Sequence, residues 1–63
     1  MFERLMRRNE VEATTALSRA AIYAKMADGS FPKPVRIGKR AVAWRQSDIA
    51  AWIEQCAADS AAS

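Results

Sequence analysis

The chain has 63 residues, of which 51% are apolar and 27% charged, and this composition predicts one small globular domain with a core too thin to enclose a substrate cavity. The absence of histidine and the single cysteine exclude an intrachain disulfide and leave no plausible catalytic or metal-binding set, so we expect no enzyme, no metal and no cofactor. Residues 1–45 contain all ten basic and four of the seven acidic residues, a net +6, whereas residues 46–63 contain the other three acids, a net −3. Basic residues grouped in this way are typical of a nucleic-acid-binding surface, but the charge alone is equally compatible with a solvated surface that keeps the domain soluble.

Two short helices are predicted in the first half of the chain, over about residues 8–15 and 19–28. Ser18 is suited to the N-cap of the second helix because its hydroxyl can accept a hydrogen bond from a first-turn amide. Gly29 is suited to the left-handed position that follows a helix. Since only about three residues separate the helices, residues 8–28 predict a helix-turn-helix.

The stretch after the second helix predicts a two-stranded ribbon. Pro32 and Pro34 exclude helix, and the segments VRI and AVAW on either side of a tight turn at Gly38 are typical of short strands. In the first segment two apolar residues alternate with Arg36, so we expect one apolar face towards the core and one basic face away from it. The ribbon, about residues 33–44, occupies the place of a wing.

A last helix is predicted over about residues 47–58, with a frayed tail after it. Asp48 favours its N-terminus. An apolar stripe at helical spacing predicts that one side of this helix is buried: Ile49, Trp52, Ile53 and Cys56. The order α-α-β-β-α predicts a mainly helical fold with a two-stranded hairpin, a winged helix-turn-helix forming a single domain over residues 1–63.

Most large apolar residues must form the core. Leu17 is expected to pack against Ile22 across the start of the second helix. The two tryptophans are interpreted as core residues rather than as stacking platforms for bases. The predicted core consists of Phe2, Leu5, Met6, Val11, Leu17, Ile22, Met26, Phe31, Val35, Ile37, Val42, Trp44, Ile49, Trp52 and Ile53.

The second helix has the residues of a DNA-reading helix. If Ile22 faces inward, Arg19, Ala20 and Tyr23 lie outward near its N-terminal half, the part that enters the major groove. Arg19 can make a two-pronged contact with guanine or phosphate, and Tyr23 can donate its hydroxyl to a phosphate oxygen. Lys25 is expected to be a peripheral phosphate contact. The alternatives are a solvated surface arginine and a half-buried core tyrosine.

Further basic residues are candidates for backbone or minor-groove contacts. Any one of them could equally be solvated, but together and beside a helix-turn-helix they favour DNA. The predicted contacts are Lys33, Arg36, Lys39 and Arg40 in the wing, with Arg7 and Arg8 as additional backbone contacts.

These motifs resemble the AlpA family of phage-type transcriptional regulators, which is similar to excisionases and to MerR-like winged helix-turn-helix domains. The matching elements are EV at 10–11, LSRAAIY at 17–23, FPKPVRIGKRAVAW at 31–44 and SDIAAWI at 47–53. The resemblance implies a phage- or prophage-associated DNA-binding protein, with Ser18, Arg19 and Tyr23 on the recognition helix and Arg36, Lys39 and Arg40 in the wing. Two residues depart from the family pattern: Ala16, where glycine is common, and Arg8, where an apolar residue is common.

The leading hypothesis is a sequence-specific transcription regulator that binds double-stranded DNA. An excisionase-like factor that bends DNA is an alternative, as is a protein-interaction module that docks an acidic partner. A single module offers little contact area, so dimers or repeated sites are expected on DNA. We expect no membrane association and no small-molecule effector, and a cytoplasmic, nucleoid-associated protein.

Overall fold

Three helices and a small antiparallel sheet make up the part of the chain that the structure, a computed structural model, describes: residues 3–62, with the side chains of 3–60. The elements in chain order are β1 (Leu5–Met6), α1 (Arg8–Thr15), α2 (Arg19–Ala27), β2 (Val35–Arg36), β3 (Val42–Arg45) and α3 (Gln46–Ala62). The fold is mainly helical, as predicted, and is compatible with a small helix-turn-helix-like domain. The order differs from the prediction because a strand precedes α1.

Helices α1 and α2 form where the sequence predicted them, joined by a turn of three residues. The Ser18 hydroxyl caps α2 by accepting the N–H of Ala21 at 3.1 Å, as predicted. Gly29 follows α2 with a φ of +83°. Ala16, after α1, has a φ of +61°, a left-handed conformation that its Cβ disfavours. The turn therefore has the geometry for which glycine is suited, although alanine occupies it.

The sheet has three strands rather than the predicted two. Strand β3 is central, between β1 and β2, and both pairs are antiparallel. In β1, Met6 lies opposite Trp44, and the N–H of Gln46 donates to the carbonyl of Arg4 at 2.8 Å. A strand of two residues shows no alternation in the sequence, and its partner lies about forty residues away, so local patterning did not reveal it.

The faces of strand β2 are reversed relative to the prediction. Arg36 lies opposite Val42, and residues directly opposite in an antiparallel pair share a face. Val42 in turn shares that face with Trp44, two residues along β3. Arg36 therefore lies on the side of the sheet that faces the helices. Val35 and Ile37 lie on the other side, where they are 37% and 45% exposed, so their predicted burial was wrong.

The core lies between the sheet and the helices. It consists of Met6, Val11, Ile22, Phe31, Trp44 and Ile49, with Leu17, Met26 and Trp52 packed against it half-buried, and Ala43 is also buried. The indole N–H groups of both tryptophans donate to backbone carbonyls, Trp44 to Pro32 and Trp52 to Ser30, each at 2.9 Å. Phe31 meets both indoles edge-on. The interpretation of both tryptophans as packing residues is confirmed.

Several predicted core residues are exposed instead: Leu5, Val35, Ile37, Val42, Ile53 and Cys56. Phe2 lies outside the described residues. The stripe on α3 is buried only as far as Trp52, because residues 53–60 are all exposed and this part of the helix extends past the core. The helix also continues to Ala62, where a frayed tail was predicted, since the alanine-rich sequence favours helix and contains no glycine or proline to end it.

Candidate nucleic-acid interface

Three of the ten basic residues form ion pairs with neighbouring acids. The pairs are Arg4 with Glu10 at 2.7 Å, Arg8 with Glu12 at 3.0 Å and Arg45 with Asp48 at 3.0 Å. The hydrogen bonds from Arg45 to Asp48 raise the pKa of Arg45 above its ordinary value. These pairs are exposed and add little to stability, but they neutralise charge locally. Arg8 was predicted as a DNA contact, and its guanidinium already has a carboxylate partner.

The other seven basic side chains form no ion pair with any acid among residues 3–60: Arg7, Arg19, Lys25, Lys33, Arg36, Lys39 and Arg40. With Arg8, they are the basic residues that the sequence predicted as DNA contacts. Lys25 is half-buried and the other six are exposed. The unpaired charge therefore lies at the start of α1, on α2, on Lys33, and on the ribbon formed by β2 and β3 with the loop between them, which we call the β2–β3 ribbon.

The exposed side of α2 carries small side chains, a tyrosine and the cation of Arg19. The guanidinium carbon of Arg19 lies 5.7 Å from the centre of the Tyr23 ring, a cation–π contact between residues four apart on the helix. Tyr23 is 44% exposed, and Ser18 and Ala20 are exposed as well. The Arg19 guanidinium lies over the Tyr23 ring, and the N–H groups of Arg19 can still donate hydrogen bonds.

Lys25, at the far end of α2, has a different environment. It lies near Asp28, whose pKa is held below its ordinary value by hydrogen bonds from the Ser30 side chain and backbone and, to a smaller extent, by the charge of Lys25. Lys25 is the least exposed of the predicted contacts on α2, and it has an ionised carboxylate near it.

The loop of the β2–β3 ribbon presents its cations on an ordered backbone. The N–H of Ile37 donates to the carbonyl of Ala41 at 2.9 Å, which extends the strand pairing and closes a loop of residues 38–40. The guanidinium of Arg36 donates to the carbonyl of Lys39 at 3.3 Å. This bond holds Arg36 against the loop, beside the exposed side chains of Lys39 and Arg40.

A groove of about 420 Å³ is lined by three parts of the chain whose DNA contacts were predicted separately from the sequence. Its lining comprises Arg7, Arg8 and Asn9 from the start of α1, Tyr23 from α2, and Arg40 and Val42 from the ribbon. Asn9 was not among the predicted contacts, although its position next to two arginines at a helix start could have suggested it. The lining contains no carboxylate, so we define these six residues as the basic groove.

Within the described residues, no group of three or more histidine, cysteine, aspartate or glutamate side chains could hold a metal ion. No helix in that part of the chain is long and apolar enough to cross a membrane. The candidate site is a cationic surface made by α2, the β2–β3 ribbon and the start of α1, with the basic groove lined by all three.

Comparison with known proteins identifies the class to which such a domain belongs. The model of the AlpA family, described as prophage CP4-57 regulatory protein, matches residues 4–57. The uncharacterized protein ORF88 of Enterobacteria phage P4 is 41% identical over 51 residues, which cover 81% of this chain and 58% of that protein. The chain therefore spans a little over half the length of this relative. It belongs to the AlpA family of prophage regulatory proteins, as its motifs predicted.

Proposed function

We propose that the protein is a sequence-specific DNA-binding regulator of phage or prophage type. In this proposal α2 is the recognition helix in the major groove, and the β2–β3 ribbon is a wing on the backbone or minor groove. The observation that favours it most is the division of the basic residues. Every basic residue without a carboxylate partner among residues 3–60 lies on α2, on the ribbon or its approach, or at the start of α1.

The recognition helix has its base-reading residue in the first turn. Arg19 follows the Ser18 cap directly, in the half of the helix that a helix-turn-helix inserts into the groove. The contact with Tyr23 restricts the guanidinium before DNA binds, which lowers the entropy lost on binding. Ala20 adds no bulk beside it, so the helix backbone can approach the bases closely.

The wing supplies contacts that do not depend on sequence. Lys39 and Arg40 lie in its loop, Arg36 is held against that loop, and Lys33 precedes β2. Each phosphate that such a cation neutralises releases counterions and adds about −0.9 to the slope of log affinity against log salt. Binding should therefore weaken steeply as the salt concentration rises.

The proposal is tested by selecting bound duplexes from a random library and titrating the best site and a scrambled duplex at two salt concentrations. Arg19→Ala should lower the preference for the selected site by about 5- to 150-fold, the equivalent of one lost base contact. Lys39→Ala should weaken binding to both duplexes equally and reduce the salt slope by about 1. Absence of salt-sensitive binding at low ionic strength would refute the proposal.

A further inference from the structure

The basic groove has a chemistry of its own, and the inference drawn from it rests on the proposed function. We propose that the groove holds one strand of the DNA backbone by its phosphates, and that Tyr23 joins this backbone site to the base-reading Arg19. The site includes Asn9, which no sequence motif singled out, and it places Arg7 and Arg40 on the same strand.

The lining is suited to a phosphodiester because it is rich in hydrogen-bond donors and has no negative charge. Arg7 and Arg40 form no ion pair with an acid among residues 3–60, and they come from different parts of the chain, the start of α1 and the β2–β3 ribbon. Asn9 adds an amide and Tyr23 a hydroxyl. One guanidinium group can donate two hydrogen bonds to a phosphate, and two guanidinium groups without a carboxylate partner in one groove favour an anion there.

The groove is large enough to hold more than a single ion. Its volume of about 420 Å³ is more than ten times the ~30 Å³ that one water molecule occupies in the liquid. Val42 contributes an apolar side chain that is 36% exposed. A deoxyribose offers an apolar surface between phosphates, so one apolar residue among donors matches a sugar–phosphate strand.

Tyr23 makes DNA a better occupant than an acidic peptide. The residue lines the groove, and its ring also lies 5.7 Å from the guanidinium carbon of Arg19. A backbone strand in the groove would therefore lie directly beside the bases within reach of Arg19. Tyr23 then has two separable roles: its hydroxyl donates to the backbone, and its ring positions Arg19.

Two substitutions separate these roles. Tyr23→Phe should weaken binding to the selected and the scrambled duplex alike, by about 2- to 13-fold, because one hydrogen bond is lost while the ring remains under Arg19. Tyr23→Ala should in addition lower the preference for the selected site. Thermal unfolding followed by circular dichroism verifies that each variant folds. If Tyr23→Ala does not fold, the role of the Tyr23 hydroxyl is tested by Tyr23→Phe alone, which should lose affinity equally for the selected and the scrambled duplex.

The position of the strand is tested with duplexes of the selected site in which one phosphate at a time is replaced by an uncharged methylphosphonate. At some positions the methylphosphonate should weaken binding by the wild type but should not weaken binding by Arg7→Gln or by Arg40→Gln any further. The reason is that the variant already lacks the side chain that contacts the phosphate at that position. Asn9→Ala should weaken binding to both the selected and the scrambled duplex. Lys33→Gln is the matched control, since Lys33 does not line the groove, and its loss should add in full to that of the same methylphosphonate.

The groove proposal and the proposed function fail in different ways. If the wild type binds duplexes with Arg19-dependent preference while Arg7→Gln, Asn9→Ala and Tyr23→Phe all bind within twofold of it, the groove is not a backbone site. The groove proposal would also be overturned if, at every position, the loss of affinity from the methylphosphonate added in full to the loss from Arg7→Gln and from Arg40→Gln. If the wild type binds no duplex, the proposed function itself is wrong.

Discussion

The two sides of strand β3 use basic residues in different ways. On the side of β1 and α3, Arg4 and Arg45 both have carboxylate partners. On the side of β2, the Arg36 guanidinium donates only to a backbone carbonyl, and Lys39 has no acidic partner among residues 3–60. The presence of arginine does not separate these regions, because both contain it. The difference lies in whether an acid is within reach, and this distinguishes cations whose charge is neutralised by a neighbouring carboxylate from cations whose charge is not.

Burial changes across the same strand. Trp44 is fully buried between sheet and helices. Two residues earlier, Val42 is 36% exposed, and on the reverse face Val35 and Ile37 are exposed too. The end of the ribbon formed by β2 and the loop therefore extends beyond the core, and its apolar residues are exposed. Substitutions on the two sides should differ accordingly in their effects on folding and on binding.

The largest expected effect is on the free energy of unfolding, at the buried Trp44. Trp44→Ala removes a buried indole and the hydrogen bond to Pro32, and such truncations cost about 3–5 kcal/mol. A chain of this length has a total free energy of unfolding of about 3–9 kcal/mol, so the variant should lose at least about a third of its stability. Urea titration followed by circular dichroism measures this.

Ile37→Ala is the matched control on the exposed side of the ribbon. Because Ile37 is 45% exposed, we expect it to lose less than about 1 kcal/mol. An equal loss in both variants would show that the exposed side of the ribbon is packed as firmly as the core.

The next largest effect is expected on the salt dependence of DNA binding. Arg36→Gln and Arg45→Gln make the same chemical change on the two sides of β3. Arg36→Gln should reduce the salt slope of DNA binding by about 1, whereas Arg45→Gln should leave it unchanged because its charge is already paired with Asp48. Both are read by fluorescence anisotropy across a salt series. Equal slopes for the two variants would show that pairing does not decide which cations meet DNA.

Features set by residues close together in the chain were predicted better than features set by distant contacts. Ser18 and Gly29 marked the ends of α2 because caps act within a few residues. Strand β1 and the faces of the ribbon depend on contacts far along the chain, and an alternating pattern shows that two faces differ without showing which one is inward. The candidate contacts could be named one by one. Their meeting in the basic groove required the packing of α1, α2 and β3, which is why Asn9 was missed.

A smaller effect is expected in the turn between α1 and α2. Ala16→Gly should raise the free energy of unfolding by about 0.5–1 kcal/mol, because glycine adopts the left-handed φ of +61° without steric cost. The control is Ala13→Gly, an exposed position inside α1, which should lose about 1 kcal/mol. Opposite signs in urea titrations are the expected result. A loss at both positions would mean that the turn relaxes around alanine.

The smallest effect is expected at Cys56, on the part of α3 that extends past the core. The sequence placed this thiol on a buried stripe, but residues 53–60 are exposed. Cys56→Ser should therefore change the free energy of unfolding by less than about 0.5 kcal/mol, and the native thiol should react with a disulfide reagent as fast as the unfolded one. Ile49→Ala, one helix turn before Ile53 and fully buried, should cost about 2–5 kcal/mol. A loss above 1 kcal/mol in Cys56→Ser, or protection of the thiol in the native protein, would mean that the end of α3 is covered in solution and that the packed region extends further than the core around Trp44.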